Sequence, residues 1–297
     1  MTSDYVPSET LQLVANRFLS WSENLLLARN WATERVLFHY TSVDSFEQIL
    51  ASEKLWLTRL QQQKDPVELK FGLDLFRRVV DENMSAASES RLHNIFFTEL
   101  LRLDEGLLST HFDCHIACFA PHGENFDLWE TYGHNGKGVA IGLTPQFFKV
   151  NPPEPGEPLW AVQPVTYGAF PPLHQFKKLL QIVTIALGEA APFVTDKDDA
   201  RYITEVMQND LVAGHVIPIC MLAKGDLYHQ ETEIRVLAPR TRTNGEPRLH
   251  HITVPFRPGI IDHVRVGENA DRERIDAIVK PLGIKLETAI YSRGLSR

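Results

Sequence analysis

The stretch VLFHYTSVDSFEQILASEKLWLT (36–58) reads as a strand, a helix and a second strand in quick succession. VLFHYT (36–41) is too short and too aromatic for a helix and is bounded by polar residues, which predicts a strand. Asp44 or Ser45 is placed to cap a short helix carrying Phe46, Ile49 and Leu50, and LWLT (55–58) follows as the next strand. The two-residue period of a strand puts His39 and Thr41 on one face and Phe38 and Tyr40 on the other. A His and a Thr side by side offer donors and acceptors suited to a ribose hydroxyl or an amide. An isolated His hydrogen-bonded at a sheet edge fits the same residues, and Tyr40 is expected in the core.

Upstream, Leu11, Val14, Ala15, Phe18, Trp21 and Leu25 recur at helical spacing, which predicts a helix over roughly 8–30. Residues 1–35 therefore read as an N-terminal helical extension to a single domain over 36–297. Downstream, 66–109 is helical with a break near MSAASES, and CHIACFA (114–120) and KGVAIGL (137–143) read as strands. NFDLWETYG (125–133) reads as a capped helix closed by Gly133, and NPPEPGEP (151–158) as a loop. Helices over 173–189 and 197–214 lead to three β-rich runs, TEIRVLA, HHITVPF and IIDHVRVG. The helix DRERIDAIVKPLG and the strand LETAIYS close the chain. Strands scattered irregularly among helices predict an α+β architecture, not a doubly wound parallel sheet.

The composition excludes some classes. Thirty basic against thirty-eight acidic residues give a formal charge of -8, so non-specific nucleic-acid binding is not expected from the total. Lys64, Lys70, Arg77 and Arg78 fall close together, which fits a local basic groove or, more commonly, a solvated helix face. Cys114, Cys118 and Cys220 make no disulfide framework, and the first two, within an apolar run, read as small buried residues. No apolar stretch approaches the roughly 20 residues of a membrane span, and the N-terminus lacks the pattern of a secretory signal. A cytoplasmic protein without membrane partners is expected. No HExxH, paired CxxC, GxxxxGK[ST] or serine nucleophile elbow occurs, and GxxGxG at 133–138 has the dinucleotide fingerprint reversed.

Three segments carry candidate chemistry beside the first strand. In HQETEIRVL (229–237), a strand would put Glu231, Glu233 and Arg235 on one face, with the carboxylates roughly 7 Å apart. One carboxylate then stabilises an oxocarbenium-like transition state while the other orients an incoming nucleophile. Their repulsion raises one pKa unless Arg235 or Lys224 compensates. A charged solvent face with a cross-strand salt bridge fits the same pattern. In WETYGHNGKGVAIG (129–142), Trp129 and Tyr132 lie on one side of a short helix, either as the wall of a pocket for a flat ring or as core. In QKDPVE (63–68), Asp65, Pro66 and Glu68 suit an ordinary helix start.

FHYTS, FEQIL…LWLT, KDPVE, CFA, LWETYG…GKGVAIGL and QETEIRVL, in that order, resemble a widespread bacterial family known as domain of unknown function 2971, over roughly residues 36–240. More distantly, an H-x-T strand, a short helix, a second strand and a late strand bearing glutamate resemble the ADP-ribosyltransferase fold. The nearest pattern is the branch that modifies nucleic acids or transfers phosphate from RNA. That resemblance implies a split mixed or antiparallel sheet decorated with helices, and NAD as substrate without a metal. It implies that His39, with Thr41 beside it, holds a ribose of NAD, and that Glu233 holds the 2′-hydroxyl at the scissile bond. Glu231 takes the place of the first member of an E-x-E pair, and Tyr132 or Trp129 stacks near the nicotinamide. The chain departs from the pattern in its long middle helical block, in the WxxYG segment and in having Tyr, not Gly, after His39. The implied activity is NAD-dependent ADP-ribosyl transfer or NAD glycohydrolysis, with a protein or nucleic-acid acceptor left open. On this reading Glu233→Gln abolishes turnover with little loss of fold. The alternatives are a non-catalytic nucleotide- or protein-binding module on the same scaffold, a nucleic-acid-processing protein of phage defence, and a nucleoside or glycoside hydrolase.

Overall fold

The structure, a computed structural model, describes residues 5–27, 31, 33–62, 68–86, 90–149, 160–241 and 247–290. Lys64, Asp65, Pro66 and the proline-rich stretch 151–158 lie outside the described residues. Helix α1 (Glu9–Leu27) precedes strand β1 (Leu37–Thr41), helix α2 (Val43–Ser52) and strand β2 (Lys54–Arg59), the anticipated strand–helix–strand unit. Ser42, not Asp44 or Ser45, caps α2: its backbone is extended and its Oγ accepts from the Ser45 N–H at 3.1 Å. The helical block resolves into α3 (Glu68–Ala86), α4 (Arg91–Leu101) and α5 (Glu105–His111).

Strand β3 (Phe112–Phe119), helix α6 (Phe126–Thr131) and strands β4 (Val139–Leu143), β5 (Ala161–Pro164) and β6 (Thr166–Tyr167) follow. Helix α7 (Phe170–Ala190) leads to α8 (Lys197–Asp210), which runs through a π-helical turn (Leu211–Val216) into α9 (Ile217–Leu222). Strands β7 (Ala223–Lys224), β8 (Ile234–Thr241), β9 (His251–Pro255) and β10 (Ile261–Val266), helix α10 (Arg272–Val279) and strand β11 (Lys285–Thr288) complete the described chain.

The architecture is α+β. One sheet has the order β1-β4-β10-β11 and the other β5-β8-β3-β2-β9, with a small β6-β7 ribbon beside them. All pairings in the two larger sheets are antiparallel except β10 with β11. The first two strands therefore part company, β1 joining one sheet and β2 the other. They stay close because β1 and the end of β3 exchange backbone hydrogen bonds between Phe38 and Ala120, at 2.8 and 3.0 Å.

Strand periodicity explains the layers. On β3, Cys114 and Ile116 enter a core shared with the helices, among them Phe76, Leu180 and Ile217. Ala117 and Phe119 enter the core between the sheets, with Leu37, Ile141, Val236 and Val264. Helix α1 supplies Leu11, Val14, Ala15 and Phe18 to the helical core and packs on α7 and α8. On β1, Phe38 and Tyr40 face a third cluster with Leu128 and Trp129, as the alternation predicts. No helix among the described residues is long and apolar enough to cross a membrane.

Gly138 shows how tightly β1 is seated. A Cβ there would fall inside van der Waals contact of the Thr41 carbonyl, a backbone atom that cannot swing aside. Gly138→Ala is expected to destabilise the chain by about 1–3 kcal/mol in urea titrations, as overpacking does. An unchanged midpoint would show that β1 yields freely.

Candidate functional site

Where the two sheets diverge, a cavity of about 190 Å³ opens between β1, α2, β2, β3, the end of α6 and the segment before β8. His39 and Thr41 line it from β1, and Ser45 and Gln48 from α2. Trp56 and Thr58 line it from β2, Cys118 from β3, and Tyr132, Glu231 and Glu233 from the remaining sides. Five of the residues singled out in the sequence thus border one space: His39, Thr41, Tyr132, Glu231 and Glu233. Trp129 does not. It is fully buried behind β1, packs edge-on against Tyr40 at 5.2 Å, and donates its indole N–H to the Gly123 carbonyl at 3.0 Å. It belongs to the core because its one polar atom already has a partner there.

The two glutamates reach the cavity by a route other than strand alternation. Strand β8 begins only at Ile234, and Glu231 ends a 3-10 helix (Asp226–Glu231). Between them Thr232 adopts a left-handed backbone (φ 45°), unusual for a β-branched residue. That turn brings both carboxylates to one cation. Lys224 Nζ donates to Glu231 at 2.6 Å and to Glu233 at 3.2 Å. Arg235 clamps Glu233 in a fork, Nε to one oxygen at 2.8 Å and Nη2 to the other at 3.0 Å. The backbone on either side is tied down. The Glu233 N–H donates to the Tyr167 hydroxyl at 2.7 Å, and its carbonyl accepts from Val165 at 2.9 Å.

The electrostatics follow from this packing. Burial alone would push the Glu233 carboxyl up. The Arg235 guanidinium and Lys224 ammonium more than reverse that, helped by the Cys118 thiol, and hold it at about 2. The compensation asked of Arg235 and Lys224 is therefore supplied by both. Cys118 is not the inert buried residue its apolar run suggested: it is partly exposed, lines the cavity and bonds Glu233.

His39 has a fixed tautomer. Its Nδ1 lies 2.9 Å from the Cys118 carbonyl, which only accepts, so Nδ1 carries the proton. Burial lowers the imidazole pKa, opposed by that carbonyl. The neutral ring keeps Nε2 as an acceptor, which suits a ligand hydroxyl or amide. Tyr132, the C-cap of α6, has its phenol pushed up by burial and stays protonated as a donor.

Sequence reasoning missed Trp56. It is 44% exposed at the edge of the cavity, and its ring stacks on His251 at 4.6 Å with the planes 16° apart. The signal was present: in a strand reading, Trp56 points opposite to Leu55 and Leu57, hence outward. Comparison with protein families, curated proteins and solved structures finds no match for the chain.

Proposed function

We propose that the cavity is a nucleotide site in which NAD is cleaved at the nicotinamide–ribose bond, on a split-sheet scaffold of the ADP-ribosyltransferase kind. The observation that carries this reading is convergence. Residues from β1, α6 and the segment before β8, far apart in sequence, meet at one space with the group types the chemistry asks for. His39 Nε2 and the Thr41 hydroxyl position a ribose, and Tyr132 offers a face to a flat ring. Breaking the glycosidic bond sends its electron pair to nicotinamide, a good leaving group, and leaves a cationic ribosyl carbon. The ionised Glu233 stabilises that charge by preorganised electrostatics. Glu231 accepts the proton of the water or acceptor hydroxyl that then forms the new bond to carbon.

A second reading has its own observation. Glu233 already spends both oxygens on Arg235 and Lys224, an arrangement that equally suits a non-catalytic nucleotide-binding module built on the same scaffold. Nicotinamide release from NAD by the purified chain separates the two readings. Glu233→Gln is a poor probe, against the expectation from sequence, because it leaves Arg235 buried against an amide and endangers the fold. Glu231→Gln and Thr41→Val are cleaner, since both positions are partly exposed. Release by the wild type that falls about 100-fold or more in Glu231→Gln supports catalysis. A thermal shift with NAD but no release, with or without lysate, supports the module. Neither release nor shift sinks both.

A further inference from the structure

The cavity is smaller than the ~300–1,000 Å³ of sites that enclose a drug-sized ligand, and a dinucleotide exceeds it. On the nucleotide reading above, part of the ligand lies outside. We propose that the outward face of β2 and β9 beside the cavity is a second subsite, which takes the purine base and phosphates of the ligand. The antiparallel register places Trp56 opposite Thr253 and Thr58 opposite His251, so Lys54, Trp56, Thr58 and His251 share one face. Thr58 and Trp56 border the cavity, which makes this face continuous with it. Trp56 offers a flat, half-open ring held by His251, and a base stacks on such a platform whatever its identity.

The surroundings suit an anion. Lys54 and His251 are exposed on this face, and Arg248 and His250 are exposed in the segment that leads into β9, cationic and hydrogen-bond-donating groups on a chain of formal charge -8, with Glu53 the exposed acid next to Lys54. The segment bearing them is built in. The His250 carbonyl accepts from the Arg59 N–H at 3.0 Å, and the Leu249 carbonyl from the buried His115 ring at 3.1 Å. Gln62 braces the His250 ring. These anchors fix the backbone from which the exposed side chains project, so little ordering cost attends binding.

The test is calorimetric titration of the full chain with ADP and, separately, with nicotinamide mononucleotide. The variants are Trp56→Ala and the double variant Lys54→Ala/Arg248→Ala, both at exposed positions. ADP is expected to bind the wild type and to weaken about tenfold or more in each variant, as loss of one stacking platform or of phosphate neutralisation does. The affinity for nicotinamide mononucleotide should stay unchanged in Trp56→Ala. Equal ADP affinity in wild type and variants overturns the subsite, and so does nicotinamide mononucleotide binding with no ADP binding. A short single-stranded oligonucleotide that binds where ADP does not would overturn it in favour of a polynucleotide surface. ADP binding that depends on Trp56, in a chain that releases no nicotinamide, keeps the subsite and removes the proposed cleavage instead.

Discussion

Replacing Arg235 with leucine is expected to destabilise the chain by about 3–5 kcal/mol, the cost of stranding a buried charge. Arg235 is among the largest fully buried side chains, and it is held there by hydrogen bonds. Besides its fork on Glu233, it donates Nη1 to the Met221 carbonyl at 2.5 Å, stitching β8 to the end of α9. Leucine leaves the Glu233 carboxylate with Lys224 as its remaining cation and strands the Met221 carbonyl. Arg235→Lys is expected to recover little, because a point charge cannot reproduce the two-pronged geometry. Removing both charges is a different matter. Glu233→Leu/Arg235→Leu should regain most of the loss, since a buried ion pair is often no better than a packed apolar pair. Urea titrations of the four proteins measure this directly. A single variant within 1 kcal/mol of wild type would mean that the pair is hydrated and the site open.

How much of this was legible beforehand depended on how local the cause was. The His39/Thr41 face and the core placement of Phe38 and Tyr40 follow from a two-residue period that nothing downstream can alter. Glu231 and Glu233 were rightly read together, but for the wrong reason. No propensity rule predicts a left-handed Thr232 or a 3-10 helix over DLYHQE, so strand alternation was assumed three residues too early. Trp129 and Tyr132 could not be separated from spacing alone. What separates them is where α6 stops: Trp129 lies inside it and finds the Gly123 carbonyl, while Tyr132 is its C-cap and turns to the cavity. Trp56 was legible as an outward aromatic but not as a site residue. Its neighbourhood is made by the pairing of β2 with β9, strands about two hundred residues apart in the chain, and by the split that sends β1 to another sheet.

Acid should undo the same cluster, and the sign is fixed by the direction of the Glu233 shift. Its carboxyl lies at about 2 in the folded chain against 4.5 ordinarily, so the folded state holds its proton less tightly than the unfolded one. The stabilisation is fully present above about pH 4.5 and is lost as pH falls towards and through 2. At about 1.4 kcal/mol per pH unit, the shift is worth roughly 3 kcal/mol. The measurement is the stability difference between wild type and Glu233→Leu/Arg235→Leu, followed by urea titration from pH 7 to 2. That difference should hold steady down to about pH 4.5 and then move against the wild type by roughly 3 kcal/mol. Subtracting the double variant matters, because other carboxylates titrate in this range and are common to both proteins. A difference that stays flat to pH 2 would show that Arg235 and Lys224 do not hold the Glu233 carboxyl below its ordinary range. If the difference moves as expected, Glu233 is ionised throughout the physiological range. Any acid limb in nicotinamide release near neutral pH must then arise from another group.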